Sequence, residues 1–175
     1  MKYALLAITF SLKILFANEY FLLPEHSSDA LYALKKRVDD SKSKITFISA
    51  QKPDRELFSA LRNALQRGVE LDVITTSLEL AASLAIYKNS HVMLLHTTDS
   101  ETLRLNLLII DGKSACSSSI GFSAAAMNRN SALFECSMDT SATTFYQYAA
   151  KQLKNRSDSY FIKGASKNYE DIHGF

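Results

Sequence analysis

The sequence predicts an α/β domain with a mixed, mainly parallel sheet flanked by helices, and three observations predict it. Short apolar runs alternate with helix-length stretches of 3.6-residue periodicity between Ser28 and Leu95. Capping residues and a glycine stop punctuate those stretches at the expected ends. Further on, Asp111-Gly112-Lys113 separates two strand-like runs as a hairpin turn does, so part of the sheet is antiparallel.

The elements follow in order. Ser28-Asp29 can cap a helix whose apolar positions Leu31, Leu34 and Val38 share one face. Ile45-Thr46-Phe47-Ile48 reads as a strand. Asp54 caps a second helix with Leu57, Phe58, Leu61, Ala64 and Leu65 on its inner face, and Gly68 supplies the stop. Val69 to Ile74 reads as the next strand, Ser77 to Tyr87 as a third helix and His91 to Leu95 as a third strand. After Asp99 the pattern changes to Leu103–Ile110 and Ser114–Ser119 around the turn, then a strand over Ala132–Met138. A closing helix over Thr144–Leu153 would bury Phe145, Tyr148, Ala149 and Leu153. Residues 157–175 are polar and unpatterned and are read as a tail.

The chain opens differently. Met1-Lys2, an apolar run from Tyr3 to Leu12, and Ala17 before Asn18-Glu19 have the layout of a signal peptide over residues 1–17. The run is too short for a permanent membrane span. The alternative is an amphipathic helix docked on the domain. The expectation is a periplasmic or secreted protein, membrane-anchored if uncleaved, with one domain over residues 18–156. Removing residues 1–17 takes away Lys2 and Lys13 and no acid, so 18 of the 20 basic side chains remain against 18 acidic ones. A domain with no net charge does not attract nucleic acid by bulk electrostatics. The cluster Lys35-Lys36-Arg37 is local, and reads as a solvated helix face. Export would leave Cys116 and Cys136 either bridged or as two small buried hydrophobes.

Two stretches carry a resemblance. Glu56 to Leu61 running through Arg67-Gly68-Val69-Glu70-Leu71-Asp72-Val73-Ile74, and Leu107 to Lys113 with its Ile-Ile-Asp-Gly-Lys ending, lie in an order similar to that of the single-motif bacterial endonucleases of the phospholipase D superfamily. The resemblance covers roughly residues 19–156 and implies a phospholipase D/nuclease-like fold. It also implies a signature H-x-K-x-x-x-x-D, a downstream G-S-x-N and a later acidic residue. In that chemistry one histidine attacks phosphorus and a second protonates the leaving group, while Lys and Asn stabilise the charge on the phosphoryl oxygens. The mechanism needs no metal and no other cofactor. Single-motif members complete the site across a homodimer axis.

Aligned on Asp111, the nucleophile position holds Arg104 and the lysine position holds Asn106. Ser118-Ser119-Ile120-Gly121 falls on G-S-x-N, so Ser119 is kept and the asparagine has become Gly121. The acidic position falls on Ala132, after Asn130; Glu135, three residues on, would point to the opposite strand face. Phe122 and Ser123 fit the pattern around them. Arginine has no lone pair to attack phosphorus and does not lose its proton, so the degenerate motif positions Arg104, Asn106 and Asp111 supply no catalytic residue. Arg104, Asn106 and Ser119 could still clamp a phosphate. The competing reading is an Arg104–Asp111 or other ion pair filling a vacated pocket.

Other chemistry has thinner support. His26, His91, His96 and His173 lie at no metal-ligand spacing. His96, at the carboxyl end of a strand, is the one position where a replacement catalytic histidine would be well placed. The serines of 114–119 form no nucleophile elbow. The sequence therefore points to an exported, catalytically inactive phospholipase D-like protein that binds a phosphate-containing ligand (nucleic acid or a phospholipid headgroup) or an envelope partner. The alternatives are a divergent, metal-independent periplasmic phosphodiesterase or endonuclease, and a structural partner of an intact relative.

Overall fold

The computed structural model describes residues 18–97 and 102–161. The signal peptide, His173 and most of the tail lie outside the described residues. Among the described residues eight strands form one sheet: β1 (Asn18–Leu23), β2 (Lys44–Ile48), β3 (Glu70–Thr75), β4 (Ser90–Leu95), β5 (Asn106–Ile110), β6 (Ser114–Ser118), β7 (Ala132–Ser137) and β8 (Ser157–Ser159). Their spatial order is β1-β7-β6-β5-β2-β3-β4-β8. The helices are α1 (Ser27–Asp40), α2 (Arg55–Gln66), α3 (Leu78–Leu84), α4 (Ala124–Arg129) and α5 (Thr140–Lys154).

The mixed α/β reading holds, but the sheet is mostly antiparallel rather than mainly parallel. Only β2–β3 and β3–β4 pair in parallel, each joined by a helical crossover. The β5–β6 hairpin lies antiparallel to β2, β7 and β1 continue the antiparallel pairing beyond β6, and at the far edge β8 lies antiparallel to β4. Parallel neighbours need a crossover helix, and only the stretch from β2 to β4 supplies them.

Local chemistry sets most of the ends. Asp54 accepts from the Glu56 amide at 2.7 Å to start α2, and Gly68, at φ 91°, lets the chain leave it. Ser77 and Ser123 cap α3 and α4 through the amides of Leu80 and Ala126. Helix α1 departs from expectation: it begins at Ser27 after His26, which makes no side-chain cap, so Ser28 and Asp29 lie inside the first turn. The hairpin turn has Asp111 at φ 52° and Gly112 at φ 66°, the two consecutive left-handed residues of a type I′ turn.

Both faces of the sheet are covered, so its central strands read as continuous apolar runs. One layer packs Ile45, Phe47, Val73, Leu108 and Phe134 against α1, α2 and α3 through Leu34, Leu57, Leu61 and Leu80. The other packs Ile48, Ile74, Leu107 and Ile109 against α5 through Ala150, with Tyr146 and Leu153 partly buried beside them. Here the expected face of the closing helix is wrong. Phe145 and Tyr148 are 65% and 61% exposed, while Thr143 and Ala150 are buried. The helix starts four residues earlier than Thr144, after the Asp139 cap, and three- and four-residue steps from Thr143 define a different stripe.

Candidate functional site

Strands β2, β3 and β4 run parallel, and the antiparallel β5 begins where β2 ends. The start of β5 therefore lies at the carboxyl end of the parallel strands, where α/β folds gather their sites. The motif positions separate into three places.

Asp111 sits at the opposite end. It closes the β5–β6 turn, five strand residues or about 17 Å from the start of β5. Its carboxylate accepts from the backbone amides of Lys42, Ser43 and Lys44 at 2.8–2.9 Å and from the Ser43 hydroxyl at 2.8 Å. Partial burial works against the charge, but these donors overrule it and hold the carboxyl at about 2. Asp111 is thus an architectural clasp between the β5–β6 turn and the α1–β2 loop. An Arg104–Asp111 ion pair is ruled out by this placement.

Asn106 is buried on the α1–α3 face, opposite Ser118 in the ladder. Ser49 donates to its Oδ1 at 3.0 Å, and its own Nδ2 reaches back to the carbonyl of Arg104 at 3.4 Å. A side chain at Gly121 would lie 3.9 Å from that Oδ1 and 3.8 Å from Gln51. The positions aligned with the family's lysine and asparagine therefore adjoin, now as a neutral amide beside a glycine.

Arg104 and Ser119 belong to the other face. They line an open cleft of about 510 Å³ between the start of β5, the ends of β6 and β7, and α5. Leu105 and Leu133 give it an apolar wall; Ser117, Glu135 and Tyr146 give it a polar one. The structure thus brings together two of the three phosphate-clamp candidates and turns Asn106 away. The Arg104 guanidinium is exposed, and its Nε donates to the Thr102 hydroxyl at 3.3 Å.

In the sequence Glu135 stands out only as a poor substitute for the family's acidic residue, and Ser117 and Tyr146 not at all. The β6–β7 register sets Ser117 opposite Glu135, one step from the Cys116–Cys136 pair. Tyr146 comes down from α5 to donate to Glu135 Oε1, and Ser117 Oγ lies 2.8 Å from the phenol oxygen and 3.3 Å from that same Oε1. Burial, and then the bond to Glu135, push the Tyr146 phenol above its ordinary value. Counting outwards from the two cysteines, once bridged, would have exposed this juxtaposition. They are bridged, and both are fully buried.

His96 stands at the same end of the sheet but three strands from β5, about 14 Å sideways. Its Nε2 lies 2.7 Å from Asp158, just past β8 residue Ser157, and both side chains are exposed. The basic cluster of α1 is largely neutralised, with Lys35 on Asp39 at 2.6 Å and Arg37 on Glu19 of β1 at 3.0 Å.

Residues 34–156 match the family model described as the phospholipase D-like domain of cardiolipin synthase. No curated protein matches the chain. Among solved structures, NucT from Helicobacter pylori is similar with a TM-score of 0.72 at 18% identity, over 82% of this chain and 98% of that one. Nuc from Salmonella typhimurium, a phospholipase D family member, has a TM-score of 0.67 at 17% identity, over 83% and 98%. TrmBL2, an archaeal chromatin protein, has a TM-score of 0.61 at 14% identity, over 91% and 62%. At these identities the structural likeness speaks for the fold alone.

Proposed function

The chain belongs to the phospholipase D superfamily, and from that premise we propose that it is an exported, catalytically inactive member that binds a phosphate-bearing ligand. The observation that carries this reading is Arg104 itself. It occupies the position of the nucleophilic histidine and lies exposed in the cleft with Ser119. A guanidinium cannot form the covalent phosphoryl intermediate, but its planar donors match phosphate oxygens. The neutral Asn106 and the missing side chain at Gly121 leave little to stabilise a phosphoryl transition state.

Export is supported by the signal-peptide layout of residues 1–17 and by the buried Cys116–Cys136 bridge, since structural disulfides persist in oxidising compartments. A second copy is the partner the family implies, and the exposed Phe145 and Tyr148 of α5 give it an apolar seat. An intact relative could use the same seat. The divergent-enzyme reading rests on His96, whose contact with Asp158 orients it, though three strands away from the cleft.

Phosphodiester cleavage tests the proposal. Purified protein is incubated with plasmid DNA and a chromogenic diester in the presence of chelator, beside Arg104→Ala and His96→Ala. The expected result is no cleavage above a mock preparation. Chelator-resistant cleavage lost on His96→Ala would overturn inactivity and install the enzyme reading.

A further inference from the structure

The Arg104 cleft carries charges of both signs, and that restricts what it can hold. Glu135 is fixed before any ligand arrives: Tyr146 and Ser117 both engage Oε1, while Oε2 has no partner among the described residues. Arg104 stands at the other end, two strands across the sheet, about 10 Å sideways. Its side chain donates from Nε to the Thr102 hydroxyl at 3.3 Å, and the exposed guanidinium lines the cleft. Between them, Leu105 and Leu133 offer carbon rather than polar atoms. At about 510 Å³ the space suits a small molecule.

Resting on the reading that Arg104 takes a phosphate, we propose that the cleft selects a small zwitterion: a phosphate ester whose short carbon linker ends in a primary ammonium. The phosphate sits on Arg104 and the Ser119 hydroxyl, the linker passes Leu133, and the ammonium meets Glu135. Opposite charges at the two ends match the two ends of such a ligand. A nucleic-acid strand fits poorly, because its next phosphate would be driven towards the Glu135 carboxylate. Glu135 and Tyr146 are thereby specificity residues: the carboxylate reads the ammonium, and the phenol keeps it in place.

The test compares ligands that differ in one group. O-Phosphoethanolamine, ethyl phosphate, inorganic phosphate and a short single-stranded oligonucleotide are titrated by calorimetry into the protein, its Glu135→Gln variant and its Arg104→Ala variant. Phosphoethanolamine should bind about five-fold tighter than ethyl phosphate, the factor one partly exposed charge pair supplies. Glu135→Gln should remove that preference while keeping phosphate binding, and Arg104→Ala should weaken both ligands. Equal binding of the two esters by the unaltered protein overturns the zwitterion and leaves the phosphate reading standing. No binding of any phosphate overturns both. Tighter binding of the oligonucleotide also overturns the zwitterion. Since the ligand comparison uses the unaltered protein, it decides the matter even if Glu135→Gln does not fold. Vesicles containing phosphatidylethanolamine or phosphatidylglycerol distinguish the source: retention on the former alone identifies a lipid headgroup, and binding of the soluble ester alone identifies a free metabolite.

Discussion

Asp111 accepts hydrogen bonds from both the backbone amide and the hydroxyl of Ser43, each at 2.8 Å, across 68 residues of sequence. Asp111, on which the motif is aligned, therefore works as a clasp that ties the β5–β6 turn to the start of β2. It touches none of the cleft residues.

Replacing Asp111 by Asn should lower stability and leave ligand binding unchanged. Asn tolerates the left-handed backbone but cannot offer four acceptor sites. The folded carboxyl is held at about 2 against 3.8 unfolded, so its contribution is present above pH 4 and is lost as pH falls towards 2. With part of the group in water, the loss should be about 1–2 kcal/mol at neutral pH. Urea melts of the two proteins at pH 7 and pH 3 check it. A gap that did not narrow at pH 3 would contradict the clasp.

The Cys116–Cys136 bridge joins facing residues of neighbouring strands and closes a separation of 20 residues. Loop-closure entropy for that length puts its contribution at about 3 kcal/mol. The double Cys→Ala variant should lose that much in denaturant titrations. If the bridge also fixes the Ser117–Glu135 register, the variant should lose any preference for an ammonium-bearing ligand before it loses the fold.

Two glycines should respond unequally to the same substitution. A Cβ at Gly121 meets only ordinary contacts at 3.8–3.9 Å, so Gly121→Ala should change stability by less than about 0.5 kcal/mol. At Gly112 the backbone is left-handed and the added Cβ would lie 2.8 Å from the Gln147 amide nitrogen. Gly112→Ala should cost about 1 kcal/mol or more. Thermal melts of both variants make the comparison.

These cases show what could be read in advance. The Asp54 cap, the Gly68 stop and the Asp111-Gly112 turn were legible because each is local chemistry acting over three or four residues. Strands β1 and β8 were not: both are edges whose only strand neighbours, β7 and β4, lie far away in sequence. The parallel bias of the expected sheet came from extending the β2–β4 pattern past the point where crossover helices stop. Of the cleft, Arg104 and Ser119 were found by motif alignment. Glu135 and Tyr146 needed the strand register and the rotation of α5, neither of which a sequence pattern fixes.

The rotation of α5 leads to the last prediction. Phe145 and Tyr148 stand on its outer face, 65% and 61% exposed. Ala150, by contrast, is 6% exposed and packs against Ile48, Ile74 and Ile109. If a second copy seats on this face, Phe145→Asp with Tyr148→Asp should convert dimer to monomer in light scattering while leaving the melting temperature of the protomer nearly unchanged. Ala150→Asp should instead unfold the chain, because an unpaired carboxylate would enter the core. A protein that is already monomeric at high concentration would remove the second copy and leave the aromatic face to a different partner. Loss of folding in the outer-face variant would mean that Phe145 and Tyr148 support the protomer itself, against their exposure in the structure.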